Sequence, residues 1–254
     1  LQRFLYGFMK KLVIADRLNA AVKEIRSYKD KKFRDKDGVF VAEGIKLVNE
    51  GINSGFFVEK LVCTEKTEQL FSSFTGEKIL LKDDVYKSVS NETTPQGVMA
   101  VIKKPVLKEF GCDGSAILLD GVADPSNVGA IVRTAAASGY TDLYFTEDCA
   151  DPFSPKAVRA SMGGIFRVKA HISTRDYIAE NLKIPFIIAD MDGENVFSFN
   201  KKGDFCLVIG NEGNGVSEKI RKKASYTVSI PMENGMESLN ASVSAGILMY
   251  LLKK

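Results

Sequence analysis

The chain has 254 residues, 45% of them hydrophobic and 26% charged, with a formal net charge of +3. That is the balance of a globular protein with core enough for one large domain or two modest ones, and it excludes a protein-wide positive field. Four scattered cysteines (Cys63, Cys112, Cys149, Cys206) without a C-x-x-C pair, and the single histidine His171, exclude a disulfide framework and a histidine-based metal centre. No metal is expected, and free thiols set in apolar runs point to a reducing, cytoplasmic setting.

The opening segment, LQRFLYGFMKKLVIADRL, mixes aromatic, apolar and basic residues and lacks the small-residue cleavage site of a secretory signal. Residues 1–16 are left as an unassigned extension. No apolar run reaches the roughly 18–20 residues that a membrane span needs, so no membrane partner is expected. Charge is unevenly spread: residues 1–107 sum to +5 and residues 108–254 to −2. The densest basic stretch, 23–36, has seven Lys or Arg against Glu24, Asp30 and Asp35. Such a stretch is either a solvated helix end laced with ion pairs or a track for a phosphate backbone.

The first region reads as small α/β: strands over 39–45, 60–63, 78–81 and 97–102, and a short helix over 44–55 closed by glycine. Around LKEFGCDGS the periodicity fails, which places a linker at 106–114 between domains of 17–105 and 115–254. From there the rhythm is β-α-β, with strands over 116–119, 142–145, 186–189, 205–209 and 226–230. A last helix is expected from about Leu239 to Leu252. Short strands alternating with helices make a parallel sheet covered on both faces. His171 falls in a strand-like stretch, RVKAHIS, with no nucleophile motif beside it, and reads as structural.

Three segments place a Gly-, Asn- or Ser-rich turn directly after an apolar strand, where α/β proteins build ligand sites. The first is LDGVADPSNVGAIVRTAAASG, with a helix beginning near Val128. Asn127 is placed either to cap that helix or to do chemistry. On a helical wheel Val128, Ile131, Val132 and Ala135 share one face. Arg133 points away from it among Ala130 and Ala137, so it is either solvated or aimed into a crevice as a fork for an oxyanion. The second is LVIGNEGNGVSE, whose closely spaced glycines let the backbone approach a ligand. Its spacing is neither the dinucleotide fingerprint nor a Walker A loop, and a carboxylate at Glu212 has little packing reason to stand among glycines. The third is IPMENGMESLNASVS, a turn followed by an apolar helix, with Ser238 as a candidate cap for that helix.

Taken together, in this order, the three motifs resemble those of the SpoU branch of the SPOUT RNA ribose 2′-O-methyltransferases, over residues 115–254. A looser resemblance over about 18–105 is to the L30e/L7Ae-like substrate-binding domain that many members carry. The resemblance implies a C-terminal α/β knot (a deep trefoil) with a parallel sheet, preceded by a smaller α/β domain, and a homodimer in which the apolar last helix takes part. It implies S-adenosylmethionine as methyl donor, held by Gly210, Gly215, Ile230, Met232 and Leu239. Arg133 would orient or deprotonate the ribose hydroxyl, positioned with Asn127, Glu212, Ser238 and Asn240. Lys29, Lys31, Lys32 and Arg34 are the candidate phosphate contacts. The RNA expected is ribosomal, most readily 23S. The alternatives are a tRNA substrate, an RNA-binding protein with an inactive methyltransferase fold, and, remotely, a nicotinamide-dependent oxidoreductase.

Overall fold

The computed structural model describes residues 13–107 and 110–253. The chain divides after Lys104 into two compact units.

In the first unit the short strand β1 (Val13–Ile14) is followed by helices α1 (Ala20–Ser27) and α2 (Lys31–Asp37), then β2 (Val39–Glu43) and α3 (Ile45–Asn53). Strand β3 (Val58–Thr64), a one-turn α4 (Glu65–Glu68), β4 (Glu77–Leu81), α5 (Asp83–Val89) and β5 (Val98–Lys103) complete it. The five strands lie in the order β1-β4-β3-β5-β2, parallel from β1 to β3 and antiparallel at β5 and β2. Val22, Ile25 and Tyr28 of the α1 segment and Val85, Tyr86 and Val89 of α5 bury one face of the sheet, as the apolar spacing of amphipathic helices requires. The pairing of Val13 with Leu80 places part of the unassigned opening segment in this unit. Residues 1–12 of that segment, and 108–109 of the expected linker, lie outside the described residues.

The second unit alternates β6 (Ala116–Asp120), α6 (Pro125–Ser138), β7 (Asp142–Thr146), α7 (Pro155–Ala160), β8 (Lys169–Ser173) and α8 (Arg175–Asn181). It continues with β9 (Phe186–Asn195), β10 (Cys206–Gly210), α9 (Glu218–Arg221), β11 (Ala224–Ser229) and α10 (Ala241–Leu252). All strand pairs are parallel, in the order β11-β9-β10-β6-β7-β8. Every residue of β6 and β7 is buried, which is why their apolar residues, 116–119 and 143–145, run on without alternating. Strand β9 runs six residues beyond the expected 186–189, paired with β11 across two register irregularities. The polar sequence DMDGEN hides this extension from a hydrophobicity reading. His171 is buried in β8, stacked on Tyr144 with ring centroids 4.7 Å apart.

Helix α6 is seated tightly on the layer beside it. A Cβ on Gly129 would stand 2.4 Å from the Ala157 carbonyl oxygen, and one on Gly164 would stand 2.9 Å from Cα of Arg133. Helix α10 packs against α6 on another side: Gly246 approaches Thr134, and the Tyr140 hydroxyl donates to the Met249 carbonyl at 3.2 Å. No described helix is long and apolar enough to cross a membrane.

Candidate active site

The polar ends of β6, β9, β10 and β11 lie at the carboxyl edge of the parallel sheet, the edge where open α/β sheets bind ligands. Helix α6 starts at Pro125, not near Val128. Asp124 is its cap, accepting from the Ser126 amide at 2.7 Å, so Asn127 is a helical residue with its side chain free for another partner. That partner is the second motif. Asn127 Nδ2 donates to Glu212 Oε1 at 2.8 Å, and Asn240 Nδ2 donates to Asn127 Oδ1 at 3.0 Å. One residue from each of the three motifs thus joins a single chain of hydrogen bonds.

Asn240 is held in turn as the cap of α10, its Oδ1 accepting from the amide and hydroxyl of Ser242 at 2.9 and 2.6 Å. This corrects the expectation that the last helix opens at Leu239 with Ser238 as cap: Asn240 caps it and the helix begins at Ala241. The other carboxylate oxygen of Glu212 accepts from the Ala123 amide at 3.3 Å. Partial burial works to raise the Glu212 pKa, but the bonds from Asn127 and from its own, Ala123 and Asp124 backbone amides outweigh it. The carboxyl is held below its ordinary range, and a position beside the start of α6 favours the anion further.

Arg133 stands apart from this cluster. It is exposed and makes no hydrogen bond or ion pair among the described residues. Six residues beyond Asn127, it is about 9 Å further along the helix axis. The crevice is not realised around its guanidinium within one chain, although its backbone is pinned by Gly164.

Next to the cluster is a cavity of about 320 Å³, formed by Ala189, Asp190 and Met191 from β9, the end of β11, the turn after it and α10. Ile230, Met232, Ser238 and Leu239 line it, as do Val228 and Leu248. Gly210 and Gly215 do not. Gly210 is required instead by the hairpin it opens, because a Cβ there would meet the Gly215 carbonyl carbon and the Val216 nitrogen at 2.4 Å. Ser238 is exposed on the cavity wall and makes no hydrogen bond to Asn127, Glu212 or Asn240 among the described residues. The β9 contribution was missed in the sequence. Its signal was a polar run (ADMDG) directly after the apolar strand, the same strand-then-turn pattern that marked the other segments. Asp190 there is ion-paired with Arg221 at 2.5 Å, and that pair with the Asp192 and Met191 amides holds its carboxyl below the usual range against the opposing effect of burial. A pocket of this size, lined by apolar Ile230, Met232, Leu239 and Leu248 together with polar Asp190, Ser229 and Ser238, suits a nucleoside-sized ligand. Among the described residues no group of side chains is set to hold a metal ion.

The basic stretch is largely spent within the first unit. Arg34 is 2% exposed and donates to the carbonyls of Tyr28 and Lys29, both at 2.8 Å. It is a strut of the α1–α2 turn, which corrects its assignment to phosphate: its spacing on α2 turns it toward the sheet. Lys29 Nζ donates to the Ser90 carbonyl at 2.7 Å, and Lys31 pairs with Asp35 four residues on. Lys32 is exposed, its Nζ 5.9 Å from the centre of the Phe33 ring.

An all-parallel α/β unit whose ligand cavity adjoins an Asn–Glu–Asn cluster at the strand ends is the arrangement of a nucleoside-handling enzyme. The chain belongs to the SpoU rRNA methylase family, whose model matches residues 114–250; the model of the MRM3-like substrate-binding domain matches residues 19–100. It is 30% identical over 241 residues to the 23S rRNA (guanosine(2553)-2′-O)-methyltransferase RlmP of Bacillus subtilis, covering 92% of this chain and 96% of the relative. Among solved structures, the AdoMet-bound rRNA methyltransferase of Sinorhizobium meliloti superposes with a TM-score of 0.84 at 26% identity, covering 94% of this chain and 96% of that one. The SpoU methyltransferase AviRb of Streptomyces viridochromogenes in complex with AdoMet gives 0.82 at 27% identity, covering 92% and 96%. These neighbours share the SPOUT fold.

Proposed function

We propose that the chain is an S-adenosylmethionine-dependent methyltransferase acting on a ribose 2′-hydroxyl of ribosomal RNA, most directly 23S. The observation that carries this reading is the Asn240–Asn127–Glu212 chain beside the 320 Å³ cavity. It unites polar residues from all three motifs beside the cavity, where donor and acceptor would meet. S-adenosylmethionine, when bound, supplies an electrophilic methyl group. Ile230, Met232 and Leu239 would pack its adenosine, and Ser238 with the β9 residues would face its polar edge. Gly210 and Gly215 would act by shaping the turn instead of touching the donor.

A ribose hydroxyl is a weak nucleophile, so the chain must place it and accept or polarise its proton. Asn127 is fixed on both sides by hydrogen bonds, so the ribose would meet a rigid surface, and positioning of this kind supplies much of a transfer's rate. Arg133 would bring a cation to the hydroxyl and the neighbouring phosphate. A guanidinium is charged at all ordinary pH values, so orientation is its first role. Since Arg133 is remote from the cluster within one chain, we read the working enzyme as a homodimer through α6 and α10, whose Val243 and Tyr250 are 49% and 61% exposed. The knotted path of the last segment and a cytoplasmic location belong to the same reading. In the first unit, Lys29, Lys31 and Lys32 would touch the RNA backbone.

The test is transfer of tritium from labelled S-adenosylmethionine to protein-free 23S, 16S and bulk tRNA in parallel. A single reverse-transcription stop in 23S is expected. Modification of tRNA alone, or donor binding without transfer to any RNA, would refute the reading.

A further inference from the structure

The turn that carries Glu212 is held at both ends by a polar network rooted in α8 and the loop after β7. Asp120, the last residue of β6, is 1% exposed, and its carboxylate is divided between two donors. Oδ1 accepts from Arg175 Nε at 2.6 Å, and Oδ2 accepts from the Ser217 amide at 2.7 Å, where the Glu212 turn ends. Arg175 Nη2 also donates to Asp148 Oδ2 at 2.6 Å. A second arm leaves the same Asp148: its Oδ1 accepts from the Thr146 hydroxyl at 2.6 Å, and that hydroxyl accepts from the Gly121 amide at 2.9 Å. The Gly121 carbonyl then accepts from Asn211 Nδ2 at 2.8 Å, where the turn begins. Gly121 has φ +74, and a Cβ there would lie 3.1 Å from Arg175 Nη2, so the backbone leaves the room that the guanidinium fills.

We propose that Arg175 is a positioning residue of the methyl transfer: through Asp120 it fixes the 211–217 turn, and with it the Glu212 carboxylate, against the start of α6. This rests on the reading of Glu212 as part of the active site. A buried carboxylate stripped of its cation is costly. Without Arg175, the Asp120 carboxylate would lose the donor that fixes its orientation toward Ser217, and the turn would lose its far anchor while keeping Asn211. Arg175 itself lines a different hollow, with Thr174, Asp176 and Lys219, and none of the cavity given to the donor. Its influence on the reaction therefore passes through Asp120 and the turn.

The test compares Arg175→Gln, Arg175→Lys, Glu212→Gln and the Arg175→Gln/Glu212→Gln double variant in the full chain. Arg175→Gln is expected to lower kcat at least tenfold with KM for S-adenosylmethionine and for RNA within twofold. Arg175→Lys should restore part of the loss. In the Glu212→Gln background, Arg175→Gln should change kcat by less than twofold, because both variants remove the same effect. Wild-type kcat in Arg175→Gln, or losses that multiply in the double variant, would overturn the proposal. Hydrogen exchange of a peptide covering 211–217 is measured alongside and needs no activity. At least tenfold faster exchange confined to that peptide is expected, and unchanged exchange overturns the clamp. If Arg175→Gln unfolds, Arg175→Lys carries the same two measurements. A wild-type chain that methylates no RNA would refute the functional reading separately, leaving exchange to decide the clamp.

Discussion

Replacing Asn127 by Asp keeps the shape of the side chain and exchanges its amide donor for a carboxylate facing Glu212 across a 2.8 Å contact. At that separation the repulsion of two unit charges is about 1.5 kcal/mol in bulk water and about 6 kcal/mol at an effective dielectric of 20. Asn127 is buried but Glu212 is exposed, so the lower half of that range applies, and about 2–3 kcal/mol would cost about 30- to 150-fold in rate. The wild-type Glu212 carboxyl is held below its ordinary pKa and is ionised throughout neutral pH. In Asn127→Asp the two carboxyls compete for one proton, so one of them titrates well above the usual range. Once that proton is taken up, a carboxylic acid donates to a carboxylate and the lost hydrogen bond returns. Activity of Asn127→Asp should therefore rise as pH falls from 8 toward 5.5, relative to wild type. Asn127→Ala, which leaves Glu212 and Asn240 without this partner, should be impaired equally across that range. The assay is single-turnover tritium transfer at saturating donor and RNA. Parallel pH profiles for the two variants, or wild-type rates in Asn127→Asp, would refute the reasoning.

Arg34→Ala should destabilise the fold by about 2 kcal/mol in urea melts, through two lost charged hydrogen bonds, and leave the salt slope of RNA binding unchanged. Lys32→Ala should do the reverse, and a shallower slope in Arg34→Ala would return that residue to the RNA surface. Gly129→Ala should cost about 1–3 kcal/mol by forcing α6 off α7, and an unchanged melting temperature would contradict the contact. The buried His171 has its pKa lowered from 6.5, burial outweighing the opposing pull of Asp142. The unfolded chain then binds the proton more readily, so this stability is complete above pH about 6.5 and declines as pH falls below it. His171→Gln should flatten the melting temperature between pH 7 and 5, and an undiminished decline would show that other groups set it.

The alternation of apolar runs with glycine- and asparagine-rich turns was enough to read a parallel α/β unit, because the apolar stretches of β6, β7 and β10 are buried on both faces. The motifs also marked Asn127, Glu212 and Asn240, which hydrogen bonds of 2.8 and 3.0 Å link in a row. What composition hid was direction. Arg34 and Lys32 are two residues apart in one basic run, yet α2 turns the first inward and leaves the second in water. Asn127 resembles a cap in sequence because Asp-Pro is also a turn signal, whereas Asp124 caps and Pro125 starts the helix. The polar half of β9 was invisible because its pairing with β11, and not its hydrophobicity, makes it a strand. Arg175 gave no local signal at all: its partners lie 55 residues before it at Asp120 and 27 before it at Asp148.

The hydrogen bonds that join Asn127 to Glu212 and to Asn240 span 85 and 113 positions of chain. Contacts of that reach are absent from every local element and form only when the sheet has been ordered across its width, the slow kind of folding event. The cluster is therefore a witness to the completed unit: during refolding, secondary structure should return first and methyl transfer last. A core variant that folds poorly should show fewer competent molecules, each turning over at the normal rate, and active-site titration separates that outcome from a true loss of kcat.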